Sequence, residues 1–360
     1  MNRIRFRPRP AWDTRACLPV SIALSNLLLA AAMASSAGPA LADCTDFDRY
    51  LRWVGGLDSP GGSVDVTLSG GLAYVAHYTV GLEIVDISTP ESPRVLGSVD
   101  TPGSAWAVGV SGEFAFVADD TAGVRVVDVS DPYHPWIVAG VGTPGNARGV
   151  WVAGSHAYVA DGSFGLEVLD IADPLHPQIV GSVDTPGGAA DVVVSGAYAY
   201  VADASGLLVI DVADPQAPSI VGELGTSYPA VSLVVKGALA YVAGGGSDPN
   251  GSGSFHVIDV ADPANPRQLS QVYTSSISED LAVSGSLAFV AGFRSGLQLI
   301  DVKDPQSPVL LGRVGVGWSD YGYGVAATGE YAYFLMWGRG LQVIRVENAR
   351  NPCLLYTSPS

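Results

Sequence analysis

The sequence is short of the residue types that build most chemical sites. Three cysteines, three methionines and five histidines occur in 360 residues. There is no CxxC pair and no Cys/His cluster, which excludes a structural zinc site. His77, His134, His156, His176 and His256 have no metal-ligand spacing, and there is no Gly-x-Ser-x-Gly elbow. No cofactor, metal or catalytic residue is therefore assigned. Charged residues make up only 15%, while hydrophobic residues make up 48%, a balance that excludes disorder. Basic residues are the scarcer kind, 18 against 35 acidic, for a net charge of −17. A field of that sign argues against nucleic acid and anionic membrane as partners. Beyond residue 42 no apolar run exceeds strand length, so no membrane span is expected.

The first 42 residues combine a basic start (Arg3, Arg5, Arg7, Arg9, Arg15), an apolar stretch and Ala40-Leu41-Ala42. That order reads as a secretory signal peptide, so the mature chain is expected to be secreted, periplasmic or at the cell surface. Cys44 and Cys353 are then the two remaining thiols, and a disulfide between them is expected to clamp the chain ends. Residues 353–360 leave the pattern described next and read as a tail, either artefactual or marking a truncation.

What is present is repetition. With 44 Gly and 24 Pro, the sequence reads as many short strands joined by turns. The segment GLEIVDI from Gly81 returns as GVRVVDV (Gly123), GLEVLDI (Gly165), GLLVIDV (Gly206), SFHVIDV (Ser254), GLQLIDV (Gly296) and GLQVIRV (Gly340). The steps are 42, 42, 41, 48, 42 and 44 residues, and the long one holds the insertion GGGSDPNGSGS. Each unit predicts a short apolar strand, an LAYVA-type strand, the GLxVID strand, a D-P-x-x-P turn and a fourth strand. Thr-Pro-Gly (101–103, 143–145, 185–187) then leads into the next unit, and Pro before Gly suits a type II turn. Four strands in about 42 residues is the arithmetic of a propeller blade. The fold class is therefore all-β: a single seven-bladed β-propeller of four-stranded antiparallel blades over 43–352. The segment Tyr50–Gly56 supplies the missing fourth strand of the last blade and closes the ring.

The strings LEIVD, VRVVD, LEVLD, LLVID, FHVID and LQLID resemble the LVIVD-repeat family. The resemblance spans about 50 to 352 and implies a β-propeller at or outside the cell surface with no established catalytic activity.

In a repeat protein, residues present in every unit hold the unit, whereas a site needs positions that differ. Asp86, Asp128, Asp170, Asp211, Asp259 and Asp301 recur before the D-P-x-x-P turn and read as turn-locking groups. Tyr74, Phe116, Tyr158, Tyr200, Tyr241, Phe289 and Tyr333 read as a core column. The candidate ligand-binding rim comes from the loops of one face: Trp106, Arg148, Asp191, Tyr228, Glu279, Asp280, Arg294, Trp318, Tyr321, Tyr323 and Trp337. His77, Asp119, Asp161, Asp203 and Phe293 fall in loops of the same face. This acidic, aromatic rim suits an extracellular protein or glycan partner, on a chain expected to be monomeric. Asp119-Asp120 and Ser247-Asp248-Pro249-Asn250 offer only weak calcium binding, because no DxDxDG loop is present. Two other functions stay open: a secreted hydrolase or lyase using Asp191, Glu279 and Asp280, and a purely structural surface component.

Overall fold

The computed structural model describes residues 51–59, 61–245, 252–315 and 320–346. All lie in the second of two compact units, Cys44–Ser360. The expected leader, the Cys44–Cys353 pair, the tail, Ser247–Asn250 and Trp318 lie outside the described residues.

Twenty-eight strands, β1 to β28, form seven four-stranded sheets among the described residues. In the first blade β2 (Ser63–Ser69), β3 (Leu72–His77), β4 (Gly81–Asp86) and β5 (Arg94–Val99) pair antiparallel in chain order. The innermost strands of the later blades are β6 (Ala107–Ser111), β10 (Gly149–Ala153), β14 (Ala189–Ser195), β18 (Ala230–Lys236), β22 (Ser278–Ser284) and β26 (Gly322–Thr328). Each packs on its neighbours, and β26 meets β2, so the ring is closed. The last blade is completed from the other end of the chain. There β1 (Leu51–Leu57) pairs antiparallel with β28 (Gly340–Val346), from Leu51↔Val346 to Leu57↔Leu341.

The middle strands are apolar on both faces because each blade is covered on both sides. The result is seven apolar clusters, each shared by neighbouring blades. One joins Tyr158, Leu166 and Val168 to Val192, Val201 and Ile210. The aromatic column is buried throughout, from Phe116 at 1% exposed to Tyr241 at 6%.

Turns follow local chemistry with one correction. Asp86, Asp128, Asp170, Asp211, Asp259 and Asp301 each accept the N–H two residues on, at 2.9–3.0 Å. The Thr-Pro-Gly segments are not type II turns, since Gly103, Gly145 and Gly187 do not have the positive φ that such a turn requires. Glycine is needed there for closeness instead. A Cβ at Gly103 would lie 2.1 Å from the Asp119 carbonyl oxygen, and one at Gly145 2.2 Å from that of Asp161.

The same approach explains why two candidate loop carboxylates are buried. Asp119 accepts from Thr101 Oγ1 (2.6 Å) and Gly103 N (2.9 Å). Asp161 does the same with Thr143 Oγ1 (2.6 Å) and Gly145 N (2.7 Å). Both clasp the turn between blades. Among the described residues no group of three His, Cys, Asp or Glu side chains is placed to hold a metal, and no helix is long and apolar enough to cross a membrane.

Candidate functional site

Every innermost strand begins with a bulge. In β2 the pairing skips Val64, running Ser63↔His77 and then Asp65↔Ala76. β14, β18 and β22 skip Ala190, Val231 and Glu279 in the same way. In the second and third blades, Trp106 and Arg148 donate their N–H groups to the residues that Ala107 and Gly149 already face. A bulge of this kind sets two neighbouring residues against one partner and re-aims their side chains. Most of the residues so presented line a central cavity of about 910 Å³.

The first residue of each bulge forms the mouth of that cavity. Around the ring it is Val64, Trp106, Arg148, Ala190, Val231, Glu279 and Tyr323, so the repeat is broken where side chains meet the opening. Aromatic groups from loops extend this break into an arc. The Trp106 and Tyr78 ring centroids are 5.2 Å apart, Tyr78 and Trp337 5.6 Å, Trp337 and Tyr323 5.1 Å, and Tyr323 and Phe293 5.7 Å. Phe293 also stacks on Tyr321 at 4.4 Å. All six rings are half-buried. An arginine stands at each end: Arg148 lies 4.2 Å from the Trp106 centroid, and Arg294 6.0 Å from those of Phe293 and Tyr321. Arg148 Nε is 3.9 Å from Asp120, a carboxylate whose same oxygen already accepts from Asn146 Nδ2 at 2.7 Å. The opposite side of the mouth is low, built by Gly162, Gly188, Ala189 and Ala190.

The second residue of each bulge ties blades together where it is acidic. Asp65 accepts Val66 N (2.7 Å) and, from the next blade, Val108 N (2.9 Å). Asp191 accepts Val192 N (2.7 Å) and Leu233 N (3.0 Å). Asp280 accepts Leu281 N, Val325 N and Ser232 Oγ, each at 2.7 Å. Burial pushes Asp65 up to about 6 against the pull of those N–H groups. It pushes Asp191 up to about 7, with the Asp65 charge adding to the effect. Asp280 is raised well above the carboxylate range by burial, reinforced by Asp65. Burial alone raises Glu279 to about 7.

The structure thus brings together Trp106, Arg148, Glu279, Arg294, Tyr321, Tyr323 and Trp337 at one mouth, with Asp191 and Asp280 in the channel wall behind it. Tyr228 makes no ring contact among the described residues, and its carbonyl accepts from Thr226 Oγ1 (2.6 Å). Phe293, placed by the sequence in a loop of this face, belongs to the arc, and so does Tyr78, which the sequence reading omits. Trp151 was missed altogether. It is 39% exposed and lines the cavity beyond the bulge. The column to which it belongs reads Thr67, Gly109, Trp151, Val193, Val234, Ala282, Ala326, so a single Trp among small and β-branched residues was the available signal. Ser63, His77 and Glu83 form a buried line in the first blade, with His77 Nδ1 3.1 Å from Ser63 Oγ and Nε2 3.3 Å from Glu83. Ser63 and His77 are at most 1% exposed, out of reach of a substrate.

The model of the LVIVD repeat family matches residues 60–101, 102–143, 144–185, 186–226, 229–274 and 277–316. The seventh blade lies beyond those matches; its third strand carries Arg345 where the others carry Asp. No curated protein matches the sequence. Among solved structures, the chain is similar to the Cps50 (Swd1) β-propeller domain of Myceliophteria thermophila, at 16% identity and TM-score 0.65 over 82% of this chain and 99% of that one. The WD40 repeats of RRP9 give 12% and 0.64, over 82% and 97%. A computationally designed protein, Ika8, gives 8% and 0.60, over 82% and 99%. At such identities the likeness is one of fold.

Proposed function

This chain belongs to the LVIVD repeat family, and from that premise we propose that it is a secreted or cell-surface, non-catalytic scaffold that binds an extracellular protein or glycan at its channel mouth. One observation carries the reading. Seven blades share their core, turns and bulges, yet the seven mouth positions carry side chains as unlike as Trp106, Arg148, Ala190 and Glu279. Asymmetry gathered around one concave opening is what a single ligand needs from a symmetric frame. Concave openings with aromatic walls and a few convergent polar groups are the usual form of a binding site. Asp191 and Asp280, two of the three acids on which a hydrolase or lyase would rest, have both oxygens engaged by backbone N–H groups. Their place in the bulge accounts for them without catalysis.

A thermal-shift series with oligosaccharides and peptides tests the reading. A ligand at about 100 times its Kd adds roughly 2.7 kcal/mol. The expected outcome is a ligand-dependent rise in Tm that Trp106→Ala, Tyr321→Ala and Trp337→Ala each diminish while the ring stays folded. A rise untouched by all three would move the binding surface elsewhere.

A further inference from the structure

We infer that the ligand is a neutral oligosaccharide that inserts end first, its terminal ring against Trp151 inside the channel and the following rings along the aromatic arc. This rests on the mouth being the binding surface, and adds to it the class of ligand and its direction of approach.

The backbone at the mouth narrows the choice. Asp120 and Ala147 exchange N–H···O bonds, as do Gly162 and Ala189. Phe293 N donates to Ile277 O and Trp337 N to Tyr321 O, both at 2.9 Å. A peptide that binds as an added strand needs unpaired main-chain groups, and at these mouth positions they are engaged within the protein. At the mouth, recognition falls to side chains. Half-buried rings 5.1–5.7 Å apart along the arc, inclined to one another at 41–85°, form an apolar wall that suits the C–H faces of sugar rings. Arg148, Asn146 and Ser163 line the same cavity with donor groups, and Glu279 adds a carboxyl. Sugar hydroxyls donate and accept, so they satisfy such a mixture without bringing charge. A neutral chain also fits the electrostatics: Asp65, Asp191, Asp280 and Glu279 line the cavity, and the whole chain carries a net charge of −17. An acidic glycan would meet the net negative field of the chain and would bind only with these carboxyls kept protonated.

Direction follows from Trp151. It shares one cavity with Trp106 and Tyr323, yet it lies on β10 beyond the bulge. A Trp exposed to 39% inside a channel, in a column otherwise free of aromatics, is a platform at depth. A polymer lying across the mouth would not reach it, whereas a chain end would. At about 910 Å³ the cavity is within the range that encloses small ligands.

Calorimetry and tryptophan fluorescence test this with short neutral oligosaccharides of several linkages, their parent polymers, uronate-bearing oligosaccharides and unrelated peptides. Short neutral oligosaccharides are expected to bind and shift the fluorescence, and to bind more tightly per gram than the parent polymer. Trp151→Ala should raise Kd about tenfold or more, with Trp151→Tyr restoring most of the loss. Val234→Trp, which fills the chamber while removing no ring, should block binding even if Trp151→Ala folds poorly. Sugar affinity unchanged in Trp151→Ala and Val234→Trp would overturn end-first insertion. Binding of peptides or uronates alone, lost in Trp106→Ala and Trp337→Ala, would overturn the neutral glycan and leave the mouth reading standing. A panel in which nothing binds through Trp106, Trp337 or Trp151 would end both.

Discussion

Asp65, Asp191 and Asp280 are each held by the N–H that follows and by one from the next blade. These bonds favour the ionised carboxylate, but burial outweighs them in all three, helped in Asp191 and Asp280 by the neighbouring acid charges. A carboxyl whose pKa is higher in the fold than in the unfolded chain binds protons more tightly when folded, so stability falls as pH rises. For Asp191 the loss runs from the ordinary 3.8 up to about 7. Glu167 and Glu279, both raised to about 7, act in the same direction. Asp86, held at about 2 by bonds from Ser88 and Arg94, is ionised in both folded and unfolded chains above about pH 5 and adds no slope there. His256 opposes the trend. It is buried and its pKa is lowered by that burial, so its share of stability grows as pH rises through the imidazole range. Four raised acids and Asp280 outnumber it. Urea midpoints should therefore fall from about pH 5 to pH 8. In Asp191→Asn, neutral throughout, the fall should shrink by on the order of 1 kcal/mol. An unchanged slope in that variant would assign it to the other acids. At pH 5 the variant should also lose about 1 kcal/mol, because one amide oxygen must serve two N–H groups, and that deficit should close towards pH 8, where the wild-type carboxyl ionises.

At the scale of elements, blades are joined as much by turns as by apolar clusters. In the first, third, fourth and fifth blades the fourth strand leans on the D-P-x-x-P turn of the next. A Cβ at Gly181 would lie 2.1 Å from the Pro215 carbonyl oxygen, whereas the fifth blade places Ser270 there, its hydroxyl donating to Pro305 O at 2.6 Å. Gly181→Val should cost about 1–3 kcal/mol through overpacking, and Gly181→Ser less, since the fifth blade shows how the turn yields to a hydroxyl. Equal losses in the two, measured by denaturant unfolding, would remove the turn contact as the cause. Strand order, blade count and closure were legible in the sequence because each is a local pattern recurring in phase. The Thr-Pro-Gly conformation was not, since its glycine answers to Asp119 in the loop that follows a strand elsewhere in the blade. The Asp ties were hidden for a similar reason: Asp191 and Leu233 are partners only once two repeats stand side by side. The arc needed the ring itself, for Tyr78 and Trp337 come together through closure. Trp151 needed only a fuller comparison of one column.

For the whole molecule, closure is the step on which cooperativity depends. Six of the blades take all four strands from consecutive sequence, but the seventh is a composite of β1 and β26 to β28. Leu51 of β1 packs in a cluster with Ile344 and Val346 of β28 and with Leu297 and Leu299 of the sixth blade. Removing residues up to Leu57 would leave the N–H and C=O groups of β28 as an open edge and strip Leu51 from that cluster. Open edges pair with other chains, and repeat arrays whose ends are not covered lose stability from those ends inward. The first blade would suffer too, because β2 packs on β26 and on β27 (Tyr331–Met336), so damage to the seventh blade reaches both sides of the seam. The truncated chain should unfold in more than one step, at a urea midpoint well below that of the intact chain, and should self-associate in sedimentation. A peptide of residues 51–57 added in excess should restore part of the midpoint by pairing with β28, because it binds only the folded ring. A single transition at the original midpoint, from a chain that stays monomeric, would mean that inner-strand packing alone closes the ring. Loss of the oligosaccharide response in the truncated protein would follow if the seam is as described, since Tyr323 and Trp337 belong to the blade that β1 completes and Tyr78 to the blade beside it.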